Sequence, residues 1–168
     1  MKKIIFIFIF LIILVGCSLS NTPTSKVEEL LMKYQTLDKD IKDNINEVVD
    51  EENLTNDQKE RYRSLIEKQY KNLVYEVKEE KYDGDNATVT VEIEVYDYKK
   101  AINNIANYYI NQENYTLEEY NNEKLKALES INEKVIYTID FEVTKDSNNN
   151  WKLLNLDNET IKKILGMY

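Results

Sequence analysis

The sequence has no histidine and only one cysteine, Cys17. Catalytic sites of the Ser-His-Asp and Cys-His kinds need an imidazole, and zinc sites built from nitrogen and sulfur ligands need several such side chains. The composition therefore excludes these chemistries. Catalysis would have to use Asp, Glu, Lys, Tyr or a hydroxyl group, and we expect neither a cofactor nor a metal site.

Basic side chains are in the minority, with 22 Lys and Arg against 31 Asp and Glu and a formal net charge of -9. Nucleic-acid binding needs a basic face, so this composition argues against a nucleic-acid partner. An acidic body is also repelled by anionic lipid. Any affinity for a membrane must therefore come from attached lipid.

The N-terminus begins with two lysines after Met1, and residues 4–15 are all apolar. Twelve apolar residues are too few for a spanning helix, which needs about 20. A basic start followed by a short apolar segment is typical of a secretory signal. We therefore predict a signal peptide over residues 1–16.

The signal ends in Leu14-Val15-Gly16-Cys17, which resembles the lipobox of bacterial lipoproteins. The resemblance implies cleavage between Gly16 and Cys17 and a diacylglyceryl group on the thiol. A buried core cysteine or a disulfide is the alternative, but the sequence offers no second cysteine. Two acyl chains anchor a protein stably, at about 0.8 kcal/mol per buried methylene. We expect an anchor on the outer face of the cell membrane, a tether over residues 17–24 and a single domain over residues 25–168.

Apolar residues recur at steps of three and four after the tether, which is typical of amphipathic helices. Ser25-Lys26-Val27-Glu28 and Thr55-Asn56-Asp57-Gln58 fit the capping box, in which the first and fourth residues satisfy each other's backbone amides. The pattern predicts one long helix, or two with a bend near Asp38, and then a further helix.

Alternation with period two begins at Tyr75 and continues beyond Asp83-Gly84, which predicts a hairpin whose two central residues both have positive φ. A second alternating segment covers residues 135–143, and a polar loop leads from it to Trp151. Between the two hairpins lies a helical insertion, whose second helix opens with a capping box at Thr116. The sequence predicts an α+β fold. We expect a sheet of about four strands, antiparallel within each hairpin, that packs against the N-terminal helices, and the insertion either caps the sheet or forms a lid.

From Pro23 onward the chain resembles a family. The segments "VYEVKEEKYDGDNATVTVEIEVYDY" and "VIYTIDFEVTKDSNNNWKLLNLD", the helices around them and the closing "IKKILGMY" are similar to small Gram-positive lipoproteins with a nuclear transport factor 2-like, or cystatin-like, domain. The resemblance implies a curved sheet wrapped around helices, often with a conical cavity. Members with known roles bind ligands, pair with proteins or catalyse reactions there, so the fold alone leaves the function open.

Thirteen tyrosines raise the possibility of a ligand pocket. Helical and strand periodicity already explain those on the apolar faces, for which core packing is the favoured interpretation: Tyr34, Tyr62, Tyr75, Tyr109 and Tyr137. The polar face of the third strand, with Ile136, Thr138, Asp140 and Glu142, is a candidate cavity wall or partner surface. Tyr75, Tyr137, Thr138 and Asp140 are the candidate wall residues.

Two other kinds of site, an acid/base active site and a calcium loop, are considered and not favoured. An acid/base enzyme would use Asp97 between Tyr96 and Tyr98, or Asp140. A calcium loop would run from Asp146 through Asn148 and Asn150 to Asp157, but Trp151 occupies the sixth position, where such loops need glycine, so a polar hairpin turn is favoured. Acidic clusters are expected to be solvated: residues 38–43 and residues 50–52.

The leading functional hypothesis is a lipid-anchored extracytoplasmic module that binds an envelope protein. The alternative is a carrier of a small apolar ligand in a cavity between sheet and helices.

Overall fold

The computed structural model describes residues 21–168. The predicted signal peptide, the Gly16–Cys17 cleavage point and the Cys17 lipidation site lie outside these residues. The described chain forms an α+β fold with these elements: α1 (Pro23–Thr36), α2 (Lys39–Glu51), α3 (Asn56–Lys71), β1 (Val74–Asp83), β2 (Asn86–Tyr96), α4 (Tyr98–Tyr109), α5 (Leu117–Ser130), β3 (Lys134–Lys145), β4 (Trp151–Leu153) and α6 (Asn158–Ile164). No helix within residues 21–168 has the length and apolar character needed to cross a membrane.

Helix α1 begins at Pro23, inside the segment expected to be a tether, and the capping box predicted at Ser25 is wrong. Thr22 is the N-cap, and its hydroxyl accepts from the Ser25 amide while the Ser25 hydroxyl accepts from the Thr22 amide. Proline suits the first helical position because it has no N–H to leave unpaired and its φ is already helical. Helix α1 therefore begins three residues earlier than predicted.

The first helical region consists of two helices. Leu37 ends α1 in the left-handed conformation with φ of 50°, and the Asp38 carboxylate then caps α2 by accepting from the Ile41 amide at 3.1 Å. The two-helix alternative with a bend near Asp38 is confirmed. The capping boxes predicted at Thr55 and Thr116 are also confirmed.

The four strands form one antiparallel sheet in the order β1-β2-β3-β4. The first turn lies at Gly84 and Asp85, because Asp83 pairs with Asn86. Only Gly84 has positive φ, at 60°, so the prediction that both central residues have positive φ is wrong. Glycine at the first central position matches a type II′ turn, which needs positive φ only there.

Strand β1 contains a bulge that the alternation did not predict. Val77 pairs with Val91, but the next pairing joins Glu79 to Thr90. The extra residue places Glu80 and Tyr82 on the same face of the sheet as Val77. That face is covered by helices, which brings a carboxylate next to the start of α1.

The main core lies between the inner face of the sheet and helices α1 to α3. Alternate residues of β2 are fully buried, as predicted, and pack against α1 and α3. Helix α1 contacts all four strands. The rings of Tyr82 on β1 and Trp151 on β4 lie 5.7 Å apart although two strands separate them. The sheet therefore curves around α1. The main core includes Val27, Leu31, Ile66, Val89, Val91, Ile93, Phe141 and Ile164.

The helical insertion, α4 and α5, packs against α3 and forms a separate insertion core. Tyr98 is almost completely buried there, and its hydroxyl donates to the Leu65 carbonyl at 3.1 Å. The insertion thus adds to the helical layer beside α3. The buried members of the insertion core are Leu65, Tyr98, Ala101, Leu125 and Leu128.

A buried glutamine joins the two cores. The Gln69 amide donates to the carbonyls of Tyr96 at 2.9 Å and Leu165 at 2.8 Å, and its oxygen accepts from the Tyr96 amide at 2.9 Å. Gly166 approaches the same point with φ of 68°, where a Cβ atom would lie 2.0 Å from the Tyr96 carbonyl oxygen. Helix α3, the end of β2 and the end of α6 therefore meet at one hydrogen-bonded joint.

Candidate binding surfaces

The four candidate wall residues do not line one cavity. Tyr75 and Tyr137 both pair with Ile93 and are half-buried on the inner face. Thr138 and Asp140 are exposed on the outer face. Because successive strand residues point to opposite faces, Tyr137 and Thr138 cannot share a wall.

The inner tyrosines are packing residues. The rings of Tyr34 and Tyr70 lie 4.7 Å apart in the helical layer. Burial raises the pKa of Tyr62 to about 12 and also raises the pKa of Tyr34, because the ionised phenolate is disfavoured away from water. The Tyr137 hydroxyl donates to the carbonyl of Tyr168 at 3.2 Å. The packing interpretation holds for Tyr34, Tyr62, Tyr75 and Tyr137, which are partly buried against the main core, and it is wrong for Tyr109, which belongs to neither core.

The outer face of the sheet is polar and mostly acidic. Lys78 bridges Glu76 at 2.6 Å and Glu92 at 2.8 Å, so one ammonium group faces two carboxylates. The Thr90 hydroxyl donates to Asp140 at 2.6 Å. The outer face, as used below, consists of these residues together with their outward neighbours Glu94, Ile136, Thr138 and Glu142.

The residues suggested for acid/base catalysis have other tasks. Asp97 caps α4 by accepting from the Lys100 amide at 2.9 Å. The Tyr98 hydroxyl is committed to the Leu65 carbonyl, and burial raises its pKa. Asp140 is exposed on the outer face. The arrangement therefore does not place a carboxylate and a tyrosine donor together in an apolar pocket at Asp97 or Asp140.

The segment from Asp146 to Asn150 is a hairpin turn between β3 and β4, as favoured. The Asp146 carboxylate accepts from the backbone amides of Asn148 at 2.8 Å and Asn150 at 2.9 Å, and the hydrogen bond from Asn150 is the main cause of its lowered pKa. Asp157 instead caps α6 by accepting from the Thr160 amide at 2.7 Å. These carboxylates therefore serve separate backbone sites.

The acidic clusters of α2 are solvated, as expected. Asp38 acts as a helix cap, and Asp43 forms an ion pair with Lys39 on the exposed side of the helix. Within residues 21–168, no three acidic or cysteine side chains come close enough together to hold a metal ion.

A groove of about 770 Å³ lies between α4 and α5, and the sequence analysis did not predict it. Tyr108 and Tyr109 from α4 and Tyr115 from the connection line it, and Arg61 from α3 closes one side. This groove is called the tyrosine groove below. A smaller pocket of about 310 Å³ lies on the other side of Arg61.

The tyrosines form one ring cluster. Tyr109 lies at its centre, with ring centroids 5.1 Å from Tyr108, 4.6 Å from Tyr115 and 5.4 Å from Tyr120, each meeting edge to face. Such geometry is the favourable one for aromatic pairs. The central ring is thus fixed by its neighbours, while Tyr108 and Tyr115 are 61% and 46% exposed.

The cationic groups of the tyrosine groove are paired. Arg61 makes two parallel hydrogen bonds to Glu129, at 2.7 and 3.0 Å, and a third to the Asn122 oxygen at 3.2 Å. Lys126 pairs with Glu123 at 2.5 Å. Glu119 also lines the groove, and its carboxylate accepts from the Thr116 amide and hydroxyl. The groove therefore offers no unpaired cation.

A signal for this site exists in the sequence. Four tyrosines occur between residues 108 and 120, along with several amide side chains. Tyr109 and Tyr120 fall on the periodic apolar positions, whereas Tyr108 and Tyr115 do not, so the pattern of helix faces did not distinguish these two. Their convergence depends on the angle between α4 and α5, which local periodicity does not specify.

Comparison with known proteins finds no family model, no curated protein and no solved structure that matches this chain.

Proposed function

We propose that the protein is a lipid-anchored extracytoplasmic binding module, held by Cys17 on the outer face of the membrane. The observation that carries the proposal is the short distance between the lipobox and the folded chain. Asn21, four residues after Cys17, already contacts the domain. Its side-chain oxygen accepts from the Trp151 amide at 2.9 Å.

Together with an anchor at Cys17, this contact supports an orientation in which the turn at residues 146–150 faces the membrane, because four residues span at most about 14 Å. The connection from α5 to β3 lies at the other end of β3, roughly 37 Å away for a 12-residue strand. Confinement to a thin layer raises the effective concentration of the domain for membrane-borne partners.

We propose the outer face as the surface that contacts a protein partner. No helix within residues 21–168 covers it, its carboxylates outnumber its lysines, and exposed Ile136 lies among them. A partner with basic side chains would be complementary in charge. Such complementarity favours specificity and fast association.

We further propose that the domain has the nuclear transport factor 2-like arrangement. The curvature of the sheet around α1 and the antiparallel order support this proposal. The second candidate function, a carrier of a small apolar ligand, would need space between sheet and helices. The main core fills that region with fully buried side chains, so we place the carrier function second.

The anchoring is tested by Cys17→Ser in the full chain. We expect the wild-type protein in the membrane fraction and the variant either unprocessed or released. Normal processing and retention of the variant would contradict the anchor.

The partner surface is tested by a photo-crosslinking residue at Thr138, with the exposed position Asn44 on α2 as the matched control. We expect one discrete crosslinked species from Thr138 only, lost when Glu92 is changed to Lys. Equal crosslinking from both positions, or none from Thr138, would contradict the partner surface and leave the anchor intact.

A further inference from the structure

We infer that the tyrosine groove binds a neutral oligosaccharide. The inference adds a ligand class to the binding module, but it depends on the groove alone and not on the lipid anchor. The volume of about 770 Å³ lies within the range of roughly 300–1,000 Å³ that is typical of ligand sites.

The exposed rings supply the apolar part of the site. Tyr108 and Tyr115 present ring surface to solvent on two sides of the groove, and Tyr109 between them is held by three ring contacts. The C–H face of a sugar ring is apolar and flat, so it can pack on a tyrosine ring while its hydroxyl groups point sideways. A tyrosine also loses little conformational freedom on binding, since it has only two side-chain torsions.

Amide side chains supply the polar part. Gln112 and Asn114 line the groove, and within residues 21–168 their side-chain amides make no hydrogen bond. Each amide offers both donors and an acceptor, and a hydroxyl group also donates and accepts. Glu119 and Glu123 add acceptor oxygens for hydroxyl donors.

Charge selects the class of ligand. Arg61 and Lys126 are already paired with carboxylates, so an anionic ligand would gain no unpaired cation in the groove. The Glu119 carboxylate already accepts from the Thr116 amide and hydroxyl. Aromatic grooves also bind proline-rich peptides. Such a peptide presents mainly carbonyl acceptors, however, and these would face the carboxylates of Glu119 and Glu123. Hydroxyl groups fit the same lining because they can donate to it.

The test is calorimetric titration of the full-length protein in detergent micelles with two probes. One is the tetrasaccharide of β-1,4-linked N-acetylglucosamine, and the other is a ten-residue polyproline peptide. We expect saturable binding of the tetrasaccharide, weakened at least 10-fold by Tyr108→Ala and by Tyr115→Ala. Tyr108→Phe keeps the ring and is expected to stay within about 3-fold of wild type. Tyr168→Ala removes a tyrosine that is exposed elsewhere and is the matched control, with no expected change.

Each other result overturns the inference. Absence of tetrasaccharide binding at millimolar concentration, or equal weakening by Tyr168→Ala, would exclude the groove as a glycan site. Polyproline binding that is lost in Tyr108→Ala, without tetrasaccharide binding, would assign the groove to peptides. None of these results bears on membrane retention through Cys17, which the Cys17→Ser variant measures separately.

Discussion

The main core and the insertion core differ in how completely they exclude water. In the main core, buried residues of three strands pack against buried residues of four helices, and most members are at most 5% exposed. The insertion core has five buried residues, and the same two helices and their connection leave large apolar side chains at the surface, among them Tyr108, Ile110, Tyr115 and Leu117. The main core is therefore closed to water, whereas the insertion leaves large apolar side chains exposed to solvent.

The joint at Gln69 connects the main core to the insertion core, and the insertion otherwise contacts α3. Arg61 reaches Glu129 and Asn122 on α5, and Gln58 donates to the Glu118 carbonyl at 3.1 Å. These contacts are polar, and α3 contributes one residue, Leu65, to the five buried members of the insertion core. We therefore expect the insertion to open locally at a lower free energy than the sheet and α1, as regions with few buried apolar contacts do.

The largest expected effect separates the two cores directly. Leu31→Ala should lower the free energy of unfolding by about 4 kcal/mol, and Leu125→Ala by about 2.5 kcal/mol, because the smaller insertion core can collapse more easily around a cavity. Both leucines are fully buried in the wild-type protein. Urea unfolding measures the losses. Hydrogen exchange in Leu125→Ala should accelerate mainly in α4 and α5, and equal losses with global acceleration would contradict the division into two cores.

Breaking the joint should have the next largest effect. Gln69→Leu removes three hydrogen bonds and leaves backbone groups of Tyr96 and Leu165 unpaired, which should cost about 3 kcal/mol. Gln112→Leu is the control, since that glutamine is exposed and should change stability by less than about 0.5 kcal/mol. Similar unfolding midpoints for the two variants would show that the joint contributes nothing.

Gly166→Ala tests the same joint through the backbone. Alanine at φ of 68° is strained by about 1–2 kcal/mol. Its Cβ would also lie 2.0 Å from the Tyr96 carbonyl oxygen, so the end of α6 must move. At Gly84 the backbone also has positive φ, but no atom lies within 4 Å of an added Cβ. Gly84→Ala therefore measures backbone strain without a steric clash. We expect the larger loss in melting temperature at Gly166, and equal losses would exclude the steric part.

The smallest effect concerns Glu80, which the bulge turns toward α1. Burial would raise the pKa of this carboxyl group, but hydrogen bonds from Thr24 and Tyr82 outweigh it and lower the pKa below the ordinary value of 4.5. A lowered pKa stabilises the fold above the unfolded-state value, and the contribution is lost as pH falls through the folded-state value. Glu80→Gln should therefore cost about 1 kcal/mol at pH 7 and progressively less below about pH 4.5.

Urea unfolding between pH 7 and pH 3 measures this difference, and Glu113→Gln at an exposed position is the control. A pH-independent difference between wild type and Glu80→Gln would contradict the role of the ionised carboxylate.

Much of the fold was predictable from local pattern. Alternation at Ala87 to Val95 predicted the buried face of β2, and the threonine caps at Thr55 and Thr116 predicted the starts of α3 and α5. The start of α1 was predicted wrongly because Ser25-Lys26-Val27-Glu28 matches the usual capping box, whereas in the structure Ser25 is the fourth residue of a box that begins at Thr22. Pro23 favours this earlier start. The candidate wall residues Thr138 and Tyr137 were placed together although their neighbouring positions send them to opposite faces.

The sequence by itself determined the acidic charge and the order of helices and strands, because these depend on residue type and spacing along the chain. Only the tertiary structure decided the curvature of the sheet around α1, the turn of Glu80 toward Thr24 and the meeting of four tyrosines between α4 and α5. These depend on a bulge and on angles between helices. They result from packing over long sequence separations, which no local period encodes.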